Sequence, residues 1–216
     1  VPSVAPRARR GHVTFGCFNR HAKITAAVLA AWREVLAAVP GSRLQLRASA
    51  YRGVGTVAWL RERWAGAGLP VERIDFLPYL PLADAMRAYA DVDVALDTFP
   101  YNGGATTCDA LAQGVPVVAL LGERMIARQS AALLDAAGHP EWIAATPAAY
   151  VELAVRLAGA PDYNATRDAL CRGLPATPLC DVRGFARALE RAFRAMVEAG
   201  PRDGRDGVDA PLEIAG

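Results

Sequence analysis

The sequence has few cysteines, no long apolar run and no excess of charge of one sign, and each absence excludes something. Cys17, Cys108, Cys171 and Cys180 lie far apart with no C-x-x-C pair, which argues against a zinc site and against a disulfide scaffold. Reduced thiols in a cytoplasmic protein are the expectation. No apolar stretch is long enough to span a bilayer, and the first ten residues lack the apolar core of a signal peptide. Lysine and arginine number 24 against 22 acidic residues, a net charge of +2. Neither nucleic acid nor an anionic membrane is therefore expected as a partner. There is no internal repeat. The chain also lacks an initial Met, and its Pro/Arg-rich start reads as a piece cut from something longer.

What is present is a chain able to bury a full core: 216 residues, 53% of them hydrophobic. Residues 1–12 read as a linker, 13–199 as one domain with terminal helices, and 200–216, rich in Gly, Asp, Arg and Pro, as a disordered tail. Between them, short apolar runs at 13–18, 43–47, 74–77, 92–96 and 115–120 alternate with helical periodicity at 25–39, 56–67, 82–89 and 105–113. Further helices are expected from Gly122 to about Ala137, over 147–157 with Thr146 as cap, over 162–171 and over 182–199. The alternation predicts an α/β fold, a doubly wound parallel sheet with C-terminal helices. Ligands in such sheets bind at the carboxyl ends of the strands, where strand order reverses.

The stretch from Asp97 to Leu111 organises the reading. An apolar strand ends, a loop Pro100-Tyr101-Asn102-Gly103-Gly104 follows, and a helix opens on Ala105, Thr106, Thr107 and Asp109. Glycines let an anion approach the backbone, and a helix start offers unpaired N–H groups and the positive end of its dipole. The stretch is thus either a phosphate site or a plain turn with Thr106 or Thr107 as N-cap. Lys23, in the loop after the first strand, either neutralises a diphosphate or is a solvated lysine at a helix entry. Asp109 either accepts from ribose hydroxyls or compensates the dipole. His21 is either a proton carrier or surface decoration, and Arg128 either reaches the cleft or pairs with a carboxylate. His12 and His139 read as structural or exposed. Gly53-Val-Gly55-Thr-Val-Ala58, with Asp75 about twenty residues on, satisfies a dinucleotide fingerprint. It stands five residues beyond what reads as the second strand, where that fingerprint requires the first.

The order and spacing of several motifs add a further reading. Phe15-Gly-Cys-Phe-Asn19 with Lys23-Ile24, Arg73-Ile-Asp-Phe-Leu-Pro78, Asp93-Val-Ala-Leu-Asp97, Tyr101-Asn-Gly-Gly-Ala-Thr-Thr-Cys-Asp109, Gly114-Val-Pro-Val-Val118 and Ala127-Arg128 before Ser130 together resemble the C-terminal catalytic half of the O-linked N-acetylglucosamine transferase family. These are tetratricopeptide-repeat glycosyltransferases of the family 41 type, and the resemblance covers about residues 13–197.

The resemblance implies a Rossmann-like domain of a glycosyltransferase-B fold that grips the UDP of a sugar donor, with no metal or other cofactor. It implies Lys23 on the diphosphate, easing departure of UDP. Gly104, Ala105, Thr106 and Thr107 would form the phosphate loop, Asp109 would hold ribose, Leu80-Pro81-Leu82 would hold uracil through backbone groups, and Arg20 and Arg87 would line the site. Partners would be an N-terminal catalytic half that carries the general base, the repeats, and a protein acceptor. The activity would be inverting transfer of N-acetylglucosamine or glucose to Ser or Thr, with these 216 residues expected to bind UDP but to turn nothing over alone. Four departures stand out: Arg20 replaces the glutamine of the animal enzymes, Gly104 a histidine, Ala105 a threonine and Leu82 a lysine. A degraded pocket kept for interaction, and an NAD-dependent or UDP-sugar epimerase-type enzyme, stay open as alternatives.

Overall fold

The computed structural model describes residues 6–200. Six parallel strands form one sheet in the order β3-β2-β1-β4-β5-β6. They are β1 (Thr14–Cys17), β2 (Arg43–Arg47), β3 (Ile74–Leu77), β4 (Val94–Leu96), β5 (Val117–Leu120) and β6 (Ile143–Ala144). Strand order reverses between β1 and β4, which makes their carboxyl ends the switch point of a doubly wound sheet. Every residue of β1 and β4 is buried, as a sheet covered on both faces requires. Gly16 marks how tightly the centre is packed. A Cβ there would stand 2.6 and 2.7 Å from the methyls of Val92.

The helices are α1 (Pro6–Arg10), α2 (Ala26–Ala38), α3 (Val54–Gly66), α4 (Leu82–Ala88), α5 (Ala105–Ala112), α6 (Gln129–Ala136), α7 (Pro147–Gly159), α8 (Tyr163–Gly173) and α9 (Val182–Glu198). Apolar residues of α2 recur at helical spacing and bury Val28, Ala31, Trp32, Val35 and Leu36. Its N-cap is Thr25, whose hydroxyl oxygen accepts from Val28 N and donates to the Phe99 carbonyl. Thr146 caps α7 in the same way, accepting from Ala149 N. Tyr150 of α7 is fully buried, donates to the Asp97 carbonyl at 2.8 Å and accepts from Trp32 Nε1. One hydroxyl thus fastens α2 and α7 to the end of β4.

The amino ends of the strands are closed by α1 and α8. Buried Asp93 accepts from Thr14 N and Arg7 N, and Arg7 also donates to the carbonyls of Ala158 and Ala160. Burial raises the Asp93 pKa above the ordinary carboxylate value. Buried Arg167 donates to the carbonyls of Val92 and Gln113. Residues 6–10, read from sequence as linker, therefore form a docked helix, because Arg7 supplies donors for carbonyls that would otherwise lack them. Residues 1–5, and the tail expected over 200–216 apart from Gly200, lie outside the described residues.

One other expectation changes. The helix expected from Gly122 to Ala137 is a 3₁₀ turn at Met125–Ala127 followed by α6. Gly122 N donates to Ala127 O and Asn102 N to Ile126 O, which pulls the segment into a tight loop against Gly103 and its neighbours. At the other end, α9 has no buried residue and leaves Phe185, Phe193 and Met196 more than half exposed. It covers none of its own sheet. No helix among the described residues is long and apolar enough to cross a membrane.

Candidate functional site

The switch point is built around one buried carboxylate. Asp97, just past β4, is 3% exposed and its Oδ1 accepts from Gly103 N at 2.7 Å and from Asn19 Nδ2 at 3.0 Å. Asn19 lies two residues beyond β1, and its Oδ1 accepts in turn from the Thr106 hydroxyl at 2.8 Å. The end of β1, the glycine loop and the start of α5 are thereby locked together. Burial raises the Asp97 pKa, and the donors around the carboxylate oppose that rise. Among the described residues Oδ2 has no hydrogen-bond partner.

Gly103 fits this arrangement because it lacks a side chain. A Cβ would lie 2.7 Å from both threonine hydroxyls, of Thr106 and Thr107, and 2.9 Å from Asp97 Oδ1. Gly104 caps α5 with its carbonyl, which accepts from Thr107 N and Cys108 N. The first N–H groups of α5 have no intrahelical acceptor and carry the positive end of the dipole. Ala105 there is exposed.

Lys23 reaches this helix start from the other side. Its loop is a 3₁₀ turn, His21–Lys23, and its ammonium donates to the Asn102 carbonyl at 2.6 Å and lies 4.0 Å from the Tyr101 ring centre. Burial holds its pKa below the ordinary lysine value, against the attraction of Asp97. The loops after β1 and β4 therefore meet at one rim of the sheet, 79 positions apart in sequence.

A cleft of about 1140 Å³ opens on that rim. Of the candidate residues, Arg20, Lys23, Gly104, Ala105 and Thr106 line it. The other candidates lie elsewhere. Thr107 is buried and bonds through its hydroxyl to Ser130 Oγ, which donates to the Gly103 carbonyl. Asp109 is half-buried one turn along α5, where burial raises its pKa. Leu80 is half-buried, Pro81 is exposed, Leu82 is 67% exposed, and Arg87 is exposed and paired with Asp84 at 2.7 Å. None of these six is in the cleft lining, whereas Tyr79, from the segment that carries Leu80-Pro81-Leu82, is. Arg128 is exposed and outside the lining.

His21 lines the cleft. Its Nδ1 stands 3.3 Å from Tyr51 Oη, its ring stacks 6.0 Å from Trp64, and burial lowers its pKa, which favours neutral imidazole. Arg47, Ser49 and Tyr101 also face the cleft, and sequence reasoning did not single them out as candidates. A signal existed for Arg47, the last residue of β2, since strand carboxyl ends are where ligands bind in this topology. None existed for Tyr101 beyond its place in the loop.

Gly53 and Gly55 open α3 after a 3₁₀ turn, Ser49–Arg52, and a Cβ on Gly55 would meet nothing within 4 Å. Asp75 is engaged by Arg43, at 3.1 Å from its Nε. The dinucleotide fingerprint thus does not follow β1, and its acidic residue is already paired.

A six-stranded doubly wound parallel sheet, with a glycine loop, a helix start and a lysine at its switch point, has the Rossmann-like architecture of a domain of the GT-B fold. The comparisons with known proteins agree. A family model described as glycosyl transferase family 41 matches residues 8–189. SPINDLY of Petunia hybrida is 38% identical over 200 residues, which is 90% of this chain and 21% of that protein. The UDP-N-acetylglucosamine–peptide N-acetylglucosaminyltransferase of Caenorhabditis elegans is 32% identical over 185 residues, 85% of this chain and 16% of that protein. Among solved structures, a mutant of the Thermobaculum terrenum O-GlcNAc transferase superposes with TM-score 0.81 at 37% identity, over 91% of this chain and 38% of its own. The chain belongs to glycosyl transferase family 41. It spans about a fifth of the length of its SPINDLY relatives, 21% for the Petunia protein.

Proposed function

We propose that this chain is the donor-binding half of a UDP-sugar glycosyltransferase, which transfers N-acetylglucosamine or glucose with inversion to Ser or Thr hydroxyls of a protein. The observation that carries the reading is the meeting of Lys23 with the Asn102 carbonyl beside Gly104 and the start of α5. A cation, a glycine backbone and unpaired N–H groups at one rim suit a diphosphate. The names of the C. elegans and T. terrenum relatives support the activity.

In this reading the β-phosphate lies between Lys23 and the N–H groups of Gly104, Ala105 and Thr106, with Arg20 at the cleft mouth. The acceptor hydroxyl attacks the anomeric carbon from the face opposite UDP, the bond to the diphosphate breaks, and negative charge grows on the departing phosphate. Lys23 and the α5 dipole stabilise that charge in the transition state. Thr107 supports the loop through Ser130, and Asp109 accepts from ribose. Uracil rests on the backbone of Leu80-Pro81-Leu82 with Arg87 at its margin, reached from Tyr79. The N-terminal half of the parent protein supplies the general base and, with tetratricopeptide repeats, the acceptor site. The setting is cytoplasmic, and this chain binds UDP but turns nothing over alone.

Calorimetric titration with UDP and with NAD, on the chain and on Lys23→Ala, tests the reading. UDP binding that is lost with the lysine is expected. NAD binding in its place, or silence with both nucleotides on folded protein, overturns it. So does sugar transfer by this chain without the other half.

A further inference from the structure

The cleft contains one contact that the donor reading leaves unused. Lys23 forms no ion pair with a carboxylate among the described residues. Its ammonium has two neighbours instead, the Asn102 carbonyl at 2.6 Å and the face of Tyr101, with the ring centre at 4.0 Å. Tyr101 is 47% exposed, so burying its ring in the core does not account for its place. Its backbone is nevertheless fixed. The Thr98 hydroxyl donates to the Tyr101 carbonyl at 2.8 Å, Asn102 Nδ2 donates to the Thr98 carbonyl at 3.0 Å, and Asn102 N donates to Ile126 O. A half-exposed aromatic ring on a pinned turn, lying along a lysine that has no counter-ion, is a rigid support for a cation.

We propose that Tyr101 is a positioning residue: its ring and the Asn102 carbonyl clamp the Lys23 ammonium at the phosphate end of the cleft. A free lysine side chain carries rotamer entropy that binding must otherwise remove, and the clamp removes part of it in advance. The ring's attraction is electrostatic and not saturated like that of a carboxylate, so the ammonium keeps donors for an arriving anion. A carboxylate in the same place would hold the lysine and also repel a diphosphate. The proposal rests on the donor-site reading for its consequence, and on the ring contact alone for the clamp.

Two measurements separate those. The first needs no nucleotide. Protons on Lys23 Cε that lie over an aromatic face resonate upfield, and proton NMR should find that shift in the chain and in Tyr101→Phe and lose it in Tyr101→Leu. The second is UDP affinity by calorimetry. Tyr101→Phe keeps the π face and should bind within about twofold of the unsubstituted chain, while Tyr101→Leu should lose about three- to tenfold. On a Lys23→Ala background the Leu substitution should cost nothing further, as a pairwise contact requires.

The pH profile adds a readout that a merely structural tyrosine would not move. The groups acting on Lys23 are Asp97 at the end of β4, Cys17 in β1 and Arg20 in its own loop. With all three unchanged, the alkaline loss of affinity should shift between Tyr101→Leu and Tyr101→Phe. Melting curves establish that each variant is folded. No upfield shift in the unsubstituted chain, an unchanged shift in Tyr101→Leu, or an equal loss for Phe and Leu overturns the clamp. If the ring shift behaves as expected and the unsubstituted chain binds no UDP, the donor-site reading fails and the clamp stands.

Discussion

Asn19 donates to the buried carboxylate of Asp97 at 3.0 Å, a bond between residues 78 positions apart that joins the ends of the two central strands. It makes the glycine loop and the first strand a single unit. Removing the carboxylate and merely neutralising it should therefore differ. Asp97→Ala leaves Gly103 N and the Asn19 amide without an acceptor and should cost about 2–6 kcal/mol, at roughly 1–3 per buried unpaired group. Asp97→Asn keeps an acceptor for both. It should also change the response to acid. A carboxyl whose folded pKa lies above its unfolded value binds more protons when folded, so stability falls as pH rises through the window from the ordinary carboxylate value to the raised one. Denaturant melts should find that fall in the unsubstituted chain, and a flatter profile in Asp97→Asn.

Gly103→Ala and Gly104→Ala should separate although the two glycines are adjacent. A methyl at 103 collides with two threonine hydroxyls and the Asp97 carboxylate in a closed space, and overpacking of that kind costs about 1–3 kcal/mol. A methyl at 104 meets the amide end of Gln129 at 2.8 Å, and that side chain can swing aside. Thermal melting of both variants checks the difference.

Ala105→Thr should tighten nucleotide binding. The position is exposed, lines the cleft and begins α5. A hydroxyl there adds one hydrogen bond to an anion, worth about 1 kcal/mol, or roughly fivefold in affinity for UDP. Calorimetry on the variant measures it, and unchanged affinity would place the phosphates elsewhere.

The lysine should set an alkaline limit on binding. Burial lowers the Lys23 pKa, so the ammonium loses its proton at a lower pH than an ordinary lysine, and affinity for UDP should fall as pH rises through that window. Arginine remains protonated there. Lys23→Arg should bind more weakly near neutrality, because its planar head does not reproduce the lysine contacts, and should show no such fall. Titrations between neutral pH and pH of about 10 compare the two.

The exposed stripe of α9 should contribute little to stability within this chain. Phe185→Ser and Phe193→Ser change residues that are 68% and 56% exposed, and should move the unfolding free energy by about 0.5 kcal/mol or less. A loss of several kcal/mol would mean that α9 packs on its own domain.

The alternation of apolar runs with helical periodicity was enough to fix a doubly wound parallel sheet, since buried parallel strands and amphipathic crossovers each leave a local pattern. The cap Thr146 was legible for the same reason: a cap acts within three residues of itself. The loop after Gly122 was not, because its 3₁₀ turn answers to Asn102, which lies far away in sequence. The cleft itself divides along that line. Glycines before a helix announce an anion site locally, whereas the contact of Lys23 with Asn102 and Tyr101 depends on where two crossovers bring their loops. That Tyr79 and Arg47 line the cleft while Leu82 and Arg87 face solvent depends on the path of the chain between β3 and α4, which no short window of sequence records. The sequence by itself determined the main strands and crossover helices of the sheet and the chemistry available at the strand ends, because periodicity and backbone preference are local. Only the tertiary structure decided which of those groups share one cavity, because strand order and the packing of the crossovers place residues dozens of positions apart within a hydrogen bond of each other.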